Sequence, residues 1–154
     1  MTTAATDAET VLRRFDAESW NAGNAAAADE PVAEDVVDHQ ALPGQQAGRE
    51  GFEQLVRAWR TGFADVREDV EAVVVQGDVA VGRFHLQGTH TGPFLGIAAT
   101  GDRVSIHGID VVRVVDGRIT DSWYVEQTLD LLQQLGALPA TDELLRTALA
   151  GTRP

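Results

Sequence analysis

The spacing of apolar residues changes once along this chain, from the period of a helix to the period of a strand. In the segment 49–63 the apolar side chains recur at helical intervals: Phe52, Leu55, Val56, Trp59 and Phe63. From Val66 onward, valine-rich segments alternate between apolar and polar residues, which is typical of strands that bury one face. Helices followed by strands predict an α+β fold, with helices packed on one side of a curved antiparallel sheet.

Turn residues divide the second half of the chain into four predicted strands, at residues 70–76, 79–89, 103–115 and 118–125. The pair Asp116-Gly117 is a strong hairpin signal. Residues 91–102 hold several glycines and a proline, and are expected to form a long loop.

The rest of the chain is predicted to contain further helices and a strand. An N-terminal helix is predicted, with one stripe formed by Val11, Leu12, Phe15 and Ser19. Asp16 is expected to lie outside this stripe. Residues 32–39 are expected to form a short helical turn that leads into a strand. Two further helices are predicted, at residues 128–135 and 141–150.

Composition and charge narrow the possible functions. The chain of 154 residues is expected to be one domain (1–154), with a core at about 7–138 and a C-terminal tail at 139–154. Its 12 Lys+Arg and 24 Asp+Glu give a formal charge of −12, so neither nucleic acid nor a membrane is expected as a partner. The absence of cysteine excludes thiolate nucleophiles and disulfides. The first residues do not have the pattern of a signal peptide, and we expect a cytoplasmic protein.

Several short segments then form a recognisable series. They are Trp20-Asn21-Ala22-Gly23, Glu34-Asp35-Val36-Val37-Asp38-His39, Pro43-Gly44, Gly48-Arg49-Glu50-Gly51-Phe52, Gly88-Thr89-His90-Thr91-Gly92, Gly108-Ile109-Asp110-Val111-Val112-Arg113, Asp116-Gly117-Arg118-Ile119 and Gln133-Gln134-Leu135-Gly136. In their number, order and spacing they resemble the SnoaL-like polyketide cyclase (ester cyclase) branch of the NTF2-like superfamily.

The resemblance implies an NTF2-like, cone-shaped barrel, in which a curved antiparallel sheet wraps around N-terminal helices and encloses an apolar pocket. It also implies acid/base chemistry without a bound cofactor. The expected substrate is a hydrophobic, carbonyl-bearing secondary metabolite, with a polycyclic compound as one possibility. The expected reaction is ring closure or isomerisation, and the expected assembly is a homodimer or homotetramer.

Asp110 is the most informative carboxylate. It interrupts an apolar strand and shares a face with Ile106, Gly108, Val112 and Val114. Burying a carboxylate there is costly unless it is paired or its pKa rises, and a raised pKa suits a general acid or base. The alternative is a structural aspartate that is hydrogen-bonded to a neighbouring element.

Tyr124 and Gln127 mark a departure from the family. The resemblance places acidic residues of the cyclases at these positions, one of them an acid/base aspartate. A tyrosine can donate a proton to an oxyanion, but its ordinary pKa of about 10 makes it a poor base at neutral pH. Tyr124 is therefore a candidate catalytic donor, Gln127 a candidate ligand contact, and the alternative for Tyr124 is a simple pocket wall.

Other candidate site residues surround the expected pocket. His39 is a candidate base and Asp38 its neighbour at the pocket edge. The remaining candidate contacts are Trp20, which matches an aromatic position of the cyclase pocket, Trp123, Phe94 in the long loop, and His85. Core packing is the alternative for the tryptophans. The spacing of the four histidines predicts no metal site.

The leading hypothesis is a cofactor-independent cyclase-like enzyme with Asp110 as acid/base, Tyr124 and His39 as partners, and Trp20 as a stacking wall. Two alternatives stay open. One is a cofactor-free oxygenase or another tailoring enzyme on the same fold, and the other is a non-catalytic protein that binds a small molecule.

Overall fold

Helices and strands alternate in the first half of the chain, and strands dominate the second. The computed structural model describes residues 3–151, with side chains described from residue 8. The elements are α1 (Thr3–Phe15), a π-helical turn (Asp16–Asn21), a 3-10 helix (Ala25–Asp29), β1 (Val32–Asp38), α2 (Arg49–Gly62), β2 (Arg67–Gln76), β3 (Val79–Thr89), β4 (Arg103–Val115), β5 (Arg118–Glu126), α3 (Thr128–Gln134) and α4 (Thr141–Ala150).

The five strands form one curved sheet in the order β1-β5-β4-β3-β2. Strands β2 to β5 form the predicted antiparallel meander, and the hairpin at Asp116-Gly117 is confirmed. Both residues of that turn have positive φ, 51° and 74°, which Asp and Gly tolerate better than most residues.

Strand β1 differs from the prediction. Residues 32–38 form a strand from the start, without a helical turn, and it runs parallel to β5 at the sheet edge. The register of this pair shifts between Val32 and Val37. The irregularity leaves Val32, Ala33 and Val36 buried, at spacings i, i+1 and i+4 that resemble a helix rather than a strand.

The core lies between the sheet and helices α1 and α2. A glycine lets α1 approach the sheet closely, since a Cβ atom at Gly82 would lie 2.8 Å from Cδ2 of Leu12. Within the sheet, Gly108 of β4 makes room for the ring of Phe84 on β3, because a Cβ atom there would lie 2.1 Å from its Cζ. Helix α1 therefore rests directly on β3, which brings the π-helical turn after it to the face of the sheet.

The C-terminal elements are peripheral. Helix α3 buries Leu131 against the sheet, whereas α4 has no buried side chain. The helix predicted at residues 141–150 is observed. Residues 1, 2 and 152–154 of the predicted domain lie outside the described residues. None of the helices between residues 3 and 151 has the length and apolar character needed to cross a membrane.

Candidate functional site

A cavity of about 150 Å³ opens between the two long helices and the concave face of the sheet. Leu12 and Phe15 of α1 and Phe52 of α2 form one wall. Strand side chains that alternate toward the helices form the other, among them Phe84 and Val112. Because every strand contributes at least one lining residue, the cavity is a product of the whole sheet rather than of one loop.

One part of the cavity wall is aromatic. Trp59 lies at the centre of this group, with ring centroids 6.4 Å from Trp20, 4.5 Å from Phe94 and 5.2 Å from Phe63. Trp20, Trp59 and Phe94 line the cavity. The structure therefore brings together two of the predicted contacts, Trp20 and Phe94, and adds Trp59, which the helical stripe alone assigns to the core.

Three carboxyl groups meet beside the cavity. Asp16 comes from the π-helical turn, Glu68 from β2 and Asp110 from β4, and their oxygen atoms lie within 4.8 Å of one another. Asp16 is 3% exposed and Glu68 is 4% exposed. We call these three residues the acid cluster; Glu68 and Asp110 line the cavity and Asp16 adjoins them.

Asn21 holds Glu68 in this position. The Asn21 side-chain amide donates to the backbone carbonyl oxygen of Glu68 at 2.7 Å, and its Oδ1 accepts from the Glu68 backbone N–H at 2.9 Å. Asn21 in turn is fixed because Arg60 donates to its backbone carbonyl oxygen at 2.8 Å. These hydrogen bonds connect the π-helical turn to both β2 and α2. Short π-helical segments are frequent at functional sites.

Burial raises the pKa of every member of the acid cluster. It raises the pKa of Asp16 to about 7, against the opposing effects of a hydrogen bond with Glu68 and the charge of Arg13. The pKa of Glu68 lies well above its ordinary value because of burial and the charges of Asp16 and Asp110. Burial, followed by the charge of Asp16, also raises the pKa of Asp110 well above its ordinary range. The cluster therefore retains protons at pH values where ordinary carboxyl groups have lost them.

Two further ionisable groups face the same space. Burial raises the pKa of Glu126 to about 6. Burial, followed by the charge of Glu126, raises the pKa of Tyr124 to about 12, so its phenol stays protonated at neutral pH. The Tyr124 hydroxyl donates to the backbone carbonyl oxygen of Gln40 at 3.3 Å, a long bond that leaves the group available as a donor.

Asp38 also lines the cavity, as predicted for the pocket edge, but its oxygens are already paired. One accepts from the backbone N–H of Gln40 at 3.0 Å and the other from the side-chain amide of Gln45 at 2.8 Å. This pairing makes Asp38 a less available base than the members of the acid cluster.

The structure does not bring His39 and Trp123 to the cavity. Their rings stack on each other with centroids 4.3 Å apart, and His39 hydrogen-bonds Asp121 at 3.0 Å. The reason is strand parity, since Ser122 and Tyr124 point into the cavity and the residue between them points away. Neither His39 nor Trp123 is among the lining residues.

His85 and Gln127 likewise lie elsewhere. His85 is on the outer face of the sheet, opposite the inward Phe84 and Leu86, and its ring stacks on His107 of the paired strand at 4.5 Å. The Gln127 side chain accepts from the backbone N–H of His107 at 2.8 Å. Both side chains therefore support β4 from outside the cavity.

Sequence spacing missed the contact between the two outer histidines, because they are 22 positions apart and meet only through strand register. Glu71 joins them, and potential ligand atoms of the three residues lie within 4.8 Å of one another. Among the residues that the structure describes, this group and the acid cluster are the two places with such spacing.

Three cavity acids were not identified as site residues from the sequence. Asp16 was expected outside the apolar stripe, but it lies four residues after Leu12 and is buried on the same face. Glu68 follows the buried Val66 at strand spacing, and Glu126 follows Tyr124 in the same way. In all three cases, the spacing from a neighbouring inward-facing residue could have predicted that the acid faces the interior.

Comparison with known proteins agrees with this architecture. TsrD from Streptomyces laurentii is 31% identical with a TM-score of 0.79, and the match covers 86% of this chain and 97% of that one. A candidate polyketide cyclase from Bacillus cereus ATCC 10987 is 29% identical with a TM-score of 0.76, covering 87% and 83%. IdmH from Streptomyces antibioticus, also a candidate polyketide cyclase, is 27% identical with a TM-score of 0.73, covering 84% and 98%. Sequence comparison with curated proteins gives no match.

The family assignment rests on the match of a whole domain rather than on single motifs. The family model for the SnoaL-like polyketide cyclases matches residues 10–135, which span α1 through α3 and so include every element that lines the cavity. The chain therefore belongs to the SnoaL-like polyketide cyclase family and has its NTF2-like fold.

Proposed function

We propose that this protein is an acid/base enzyme that acts without a cofactor on a hydrophobic, carbonyl-bearing small molecule. The reaction removes a proton from the carbon next to the carbonyl and leads to ring closure or isomerisation. The observation that carries the proposal is the acid cluster, whose oxygens converge within 4.8 Å of one another beside a mostly apolar cavity. Membership of a family of polyketide cyclases supports the same reaction class.

The proton balance of the acid cluster suits this chemistry. The pKa of Asp16 is about 7, and burial raises the pKa values of Glu68 and Asp110 well above their ordinary range, so the group carries only part of its negative charge near neutral pH. Because the carboxyl oxygens are close together, transfer of a proton within the group moves that charge to Asp110, which faces the cavity. Asp110 is then a carboxylate with a raised pKa, which is the form of a general base matched to neutral pH.

In the first step the Asp110 carboxylate accepts the proton, and the electron pair of the broken C–H bond passes into the carbonyl group to form an enolate. The phenol of Tyr124 donates a hydrogen bond to the enolate oxygen, which stabilises the developing charge. Tyr124 pairs with Asp110 in the register of β4 and β5, and both line the cavity.

The second step regenerates the base. In ring closure the enolate carbon bonds to a second carbonyl carbon of the same molecule, and the new alkoxide takes the proton back from Asp110. In isomerisation that proton returns to a different carbon. The aromatic residues Trp20, Trp59 and Phe94 would hold the substrate and keep water away from the reacting atoms.

Proton exchange on a bicyclic ketone tests the proposal without knowledge of the natural substrate. 2-Tetralone is incubated in deuterated buffer with the wild type, and loss of its protons next to the carbonyl is followed by NMR. We expect acceleration by the wild type, a loss of about 100-fold or more in Asp110→Asn, and no loss in Asp116→Asn, which removes an exposed carboxylate from a turn.

A panel of polyketide intermediates, analysed by chromatography and mass spectrometry with and without oxygen, separates the alternatives. A new isomer or dehydrated product formed only by an enzyme with Asp110 intact supports the proposal. A product one oxygen atom heavier, formed only in air, would point instead to a cofactor-free oxygenase. A ligand that is retained but recovered unchanged, with no proton exchange, would point to a binding protein.

A further inference from the structure

The ionisable side chains that face the cavity have one sign of charge. Four carboxyl groups line it, from Asp38, Glu68, Asp110 and Glu126, and Asp16 adjoins them. Within the described part of the chain, no Lys, Arg or His side chain is among the lining residues. A ligand with a carboxylate or phosphate would meet no cationic partner among the lining residues, whereas a ligand with a cationic group would meet several carboxyl groups.

The deepest of these acids lack hydrogen-bond donors. Asp16 and Glu68 are hydrogen-bonded to each other, but among the described side chains and backbone no N–H or hydroxyl donor of another residue reaches either carboxyl oxygen of Asp16 or Oε1 of Glu68. The contrast with Asp38 is clear, since both its oxygens accept hydrogen bonds from the loop that follows β1. Buried polar atoms in native proteins nearly always have partners, so the missing donor at Glu68 is one that a ligand in the cavity can provide.

The arginines nearest the acid cluster are engaged elsewhere. Arg13 weakly affects the pKa of Asp16 through its charge, but its guanidinium pairs with Glu9 at 2.8 Å on the exposed side of α1. Arg60 donates to the backbone carbonyl oxygens of Trp20 and Asn21. Among the described side chains, no cation therefore forms an ion pair with the acid cluster.

The volume and the aromatic lining of the cavity indicate the size and kind of ligand that fits it. Its volume of about 150 Å³ is comparable to cavities that hold a single aromatic ring, and its open side leaves room for a second. Trp20 and Trp59 offer flat surfaces on which a ring can stack and which also favour a nearby positive charge.

We infer that the cavity takes a molecule of one or two rings that carries a basic nitrogen, bound in its ammonium or iminium form with N–H groups directed at the carboxyl groups of Glu68 and Asp110. The inference rests on the proposed function and narrows its substrate to carbonyl compounds that also contain such a nitrogen. Charge-assisted hydrogen bonds to two carboxyl groups would orient the ring against the tryptophans and bring its carbonyl side toward Tyr124.

Three probes of one shape and different charge test the inference: 2-naphthylmethylamine, 2-naphthylmethanol and 2-naphthoate. Each is titrated into the full chain at neutral pH by isothermal titration calorimetry. We expect the amine to bind about tenfold or more tightly than the alcohol, and the naphthoate to show no binding. Glu68→Gln and Asp110→Asn should remove the preference for the amine, whereas the surface control Asp116→Asn should keep it.

Several results would overturn the inference. They are equal or tighter binding of the alcohol, measurable binding of the naphthoate, or a preference for the amine that survives both cavity variants. A divalent ion such as Ca²⁺ or Zn²⁺ that binds the wild type but not Glu68→Gln, with no preference for the amine, would assign the acid cluster to a metal instead. If either variant fails to fold, as judged by circular dichroism, the comparison of the three probes on the wild type still decides.

Failure of this inference and failure of the proposed function are distinguishable. A wild-type protein that prefers the amine but exchanges no protons on 2-tetralone has the inferred ligand class without the proposed chemistry. A protein that exchanges protons through Asp110 and shows no preference for the amine has the chemistry with a different ligand.

Discussion

Asp110 of β4 lies directly opposite Tyr124 of β5 in the register of the sheet, and both side chains face the cavity. This pairing sets a carboxyl group with a raised pKa beside a phenol that stays protonated at neutral pH. A base and a hydrogen-bond donor at adjacent positions are what removal of a proton next to a carbonyl requires. The following predictions test this arrangement and the cluster behind it.

Tyr124→Phe separates the role of the hydroxyl from its contribution to stability. The lost hydrogen bond to Gln40 is long, at 3.3 Å, so the free energy of unfolding should fall by less than about 1 kcal/mol. Loss of a donor to the enolate should reduce the proton-exchange rate on 2-tetralone by about 100-fold. NMR exchange and urea unfolding measure the two effects, and an undiminished exchange rate would make Tyr124 a wall of the cavity only.

The acid cluster should make the protein more stable in mildly acidic solution than at alkaline pH. The folded-state pKa of Asp16, about 7, exceeds its ordinary 3.8, so the folded chain holds this proton more tightly than the unfolded chain. The associated stability is complete below about pH 4 and is lost as the pH rises through 7. For Asp16 alone the loss is on the order of 4 kcal/mol.

The urea midpoint should therefore fall between about pH 5 and pH 8. Glu68→Gln should flatten this dependence, since it removes one of the coupled carboxyl groups, and Asp116→Asn should retain it. Asp65, Asp69 and Asp121 have lowered pKa values, and their opposite effect on stability falls below this pH window. A midpoint that rises with pH over this range would contradict a protonated cluster.

Asn21→Ala should destabilise the fold and disturb the site together. The side-chain amide makes two hydrogen bonds with the backbone of Glu68, and without them the carbonyl and N–H of that residue lose their partners. We expect a loss of about 1–3 kcal/mol in the free energy of unfolding. Asn21→Asp keeps one acceptor and should cost less. Equal stability of the wild type and Asn21→Ala would show that the two hydrogen bonds between Asn21 and the Glu68 backbone do not stabilise the fold.

His39→Gln should leave proton exchange on 2-tetralone unchanged, because the imidazole stacks on Trp123 and pairs with Asp121 outside the cavity. The matched comparison is Asp110→Asn, measured in the same assay. A large loss in His39→Gln would restore the role that the sequence indicates for this histidine and would require the loop after β1 to move toward the cavity.

Local features of the chain were readable from its sequence. The hairpin at Asp116-Gly117 depends on the positive φ that these two residues accept, and the helical stripe from Phe52 to Phe63 depends on spacing alone. Asp110 was identifiable as an acid on the inward face of its strand because its neighbours on that face are apolar. Each of these signals lies within a few positions of the residue that it describes.

The acid cluster itself was decided by tertiary structure. Asp16, Glu68 and Asp110 are tens of residues apart, and they meet only because Gly82 lets α1 rest on β3 and the π-helical turn carries Asp16 to the sheet. A carboxyl group acquires a raised pKa when packing removes its water, and no single segment determines that packing. The sequence determined which elements form and which strand face is apolar, whereas the assembled sheet and helices determined which carboxyl groups share one cavity.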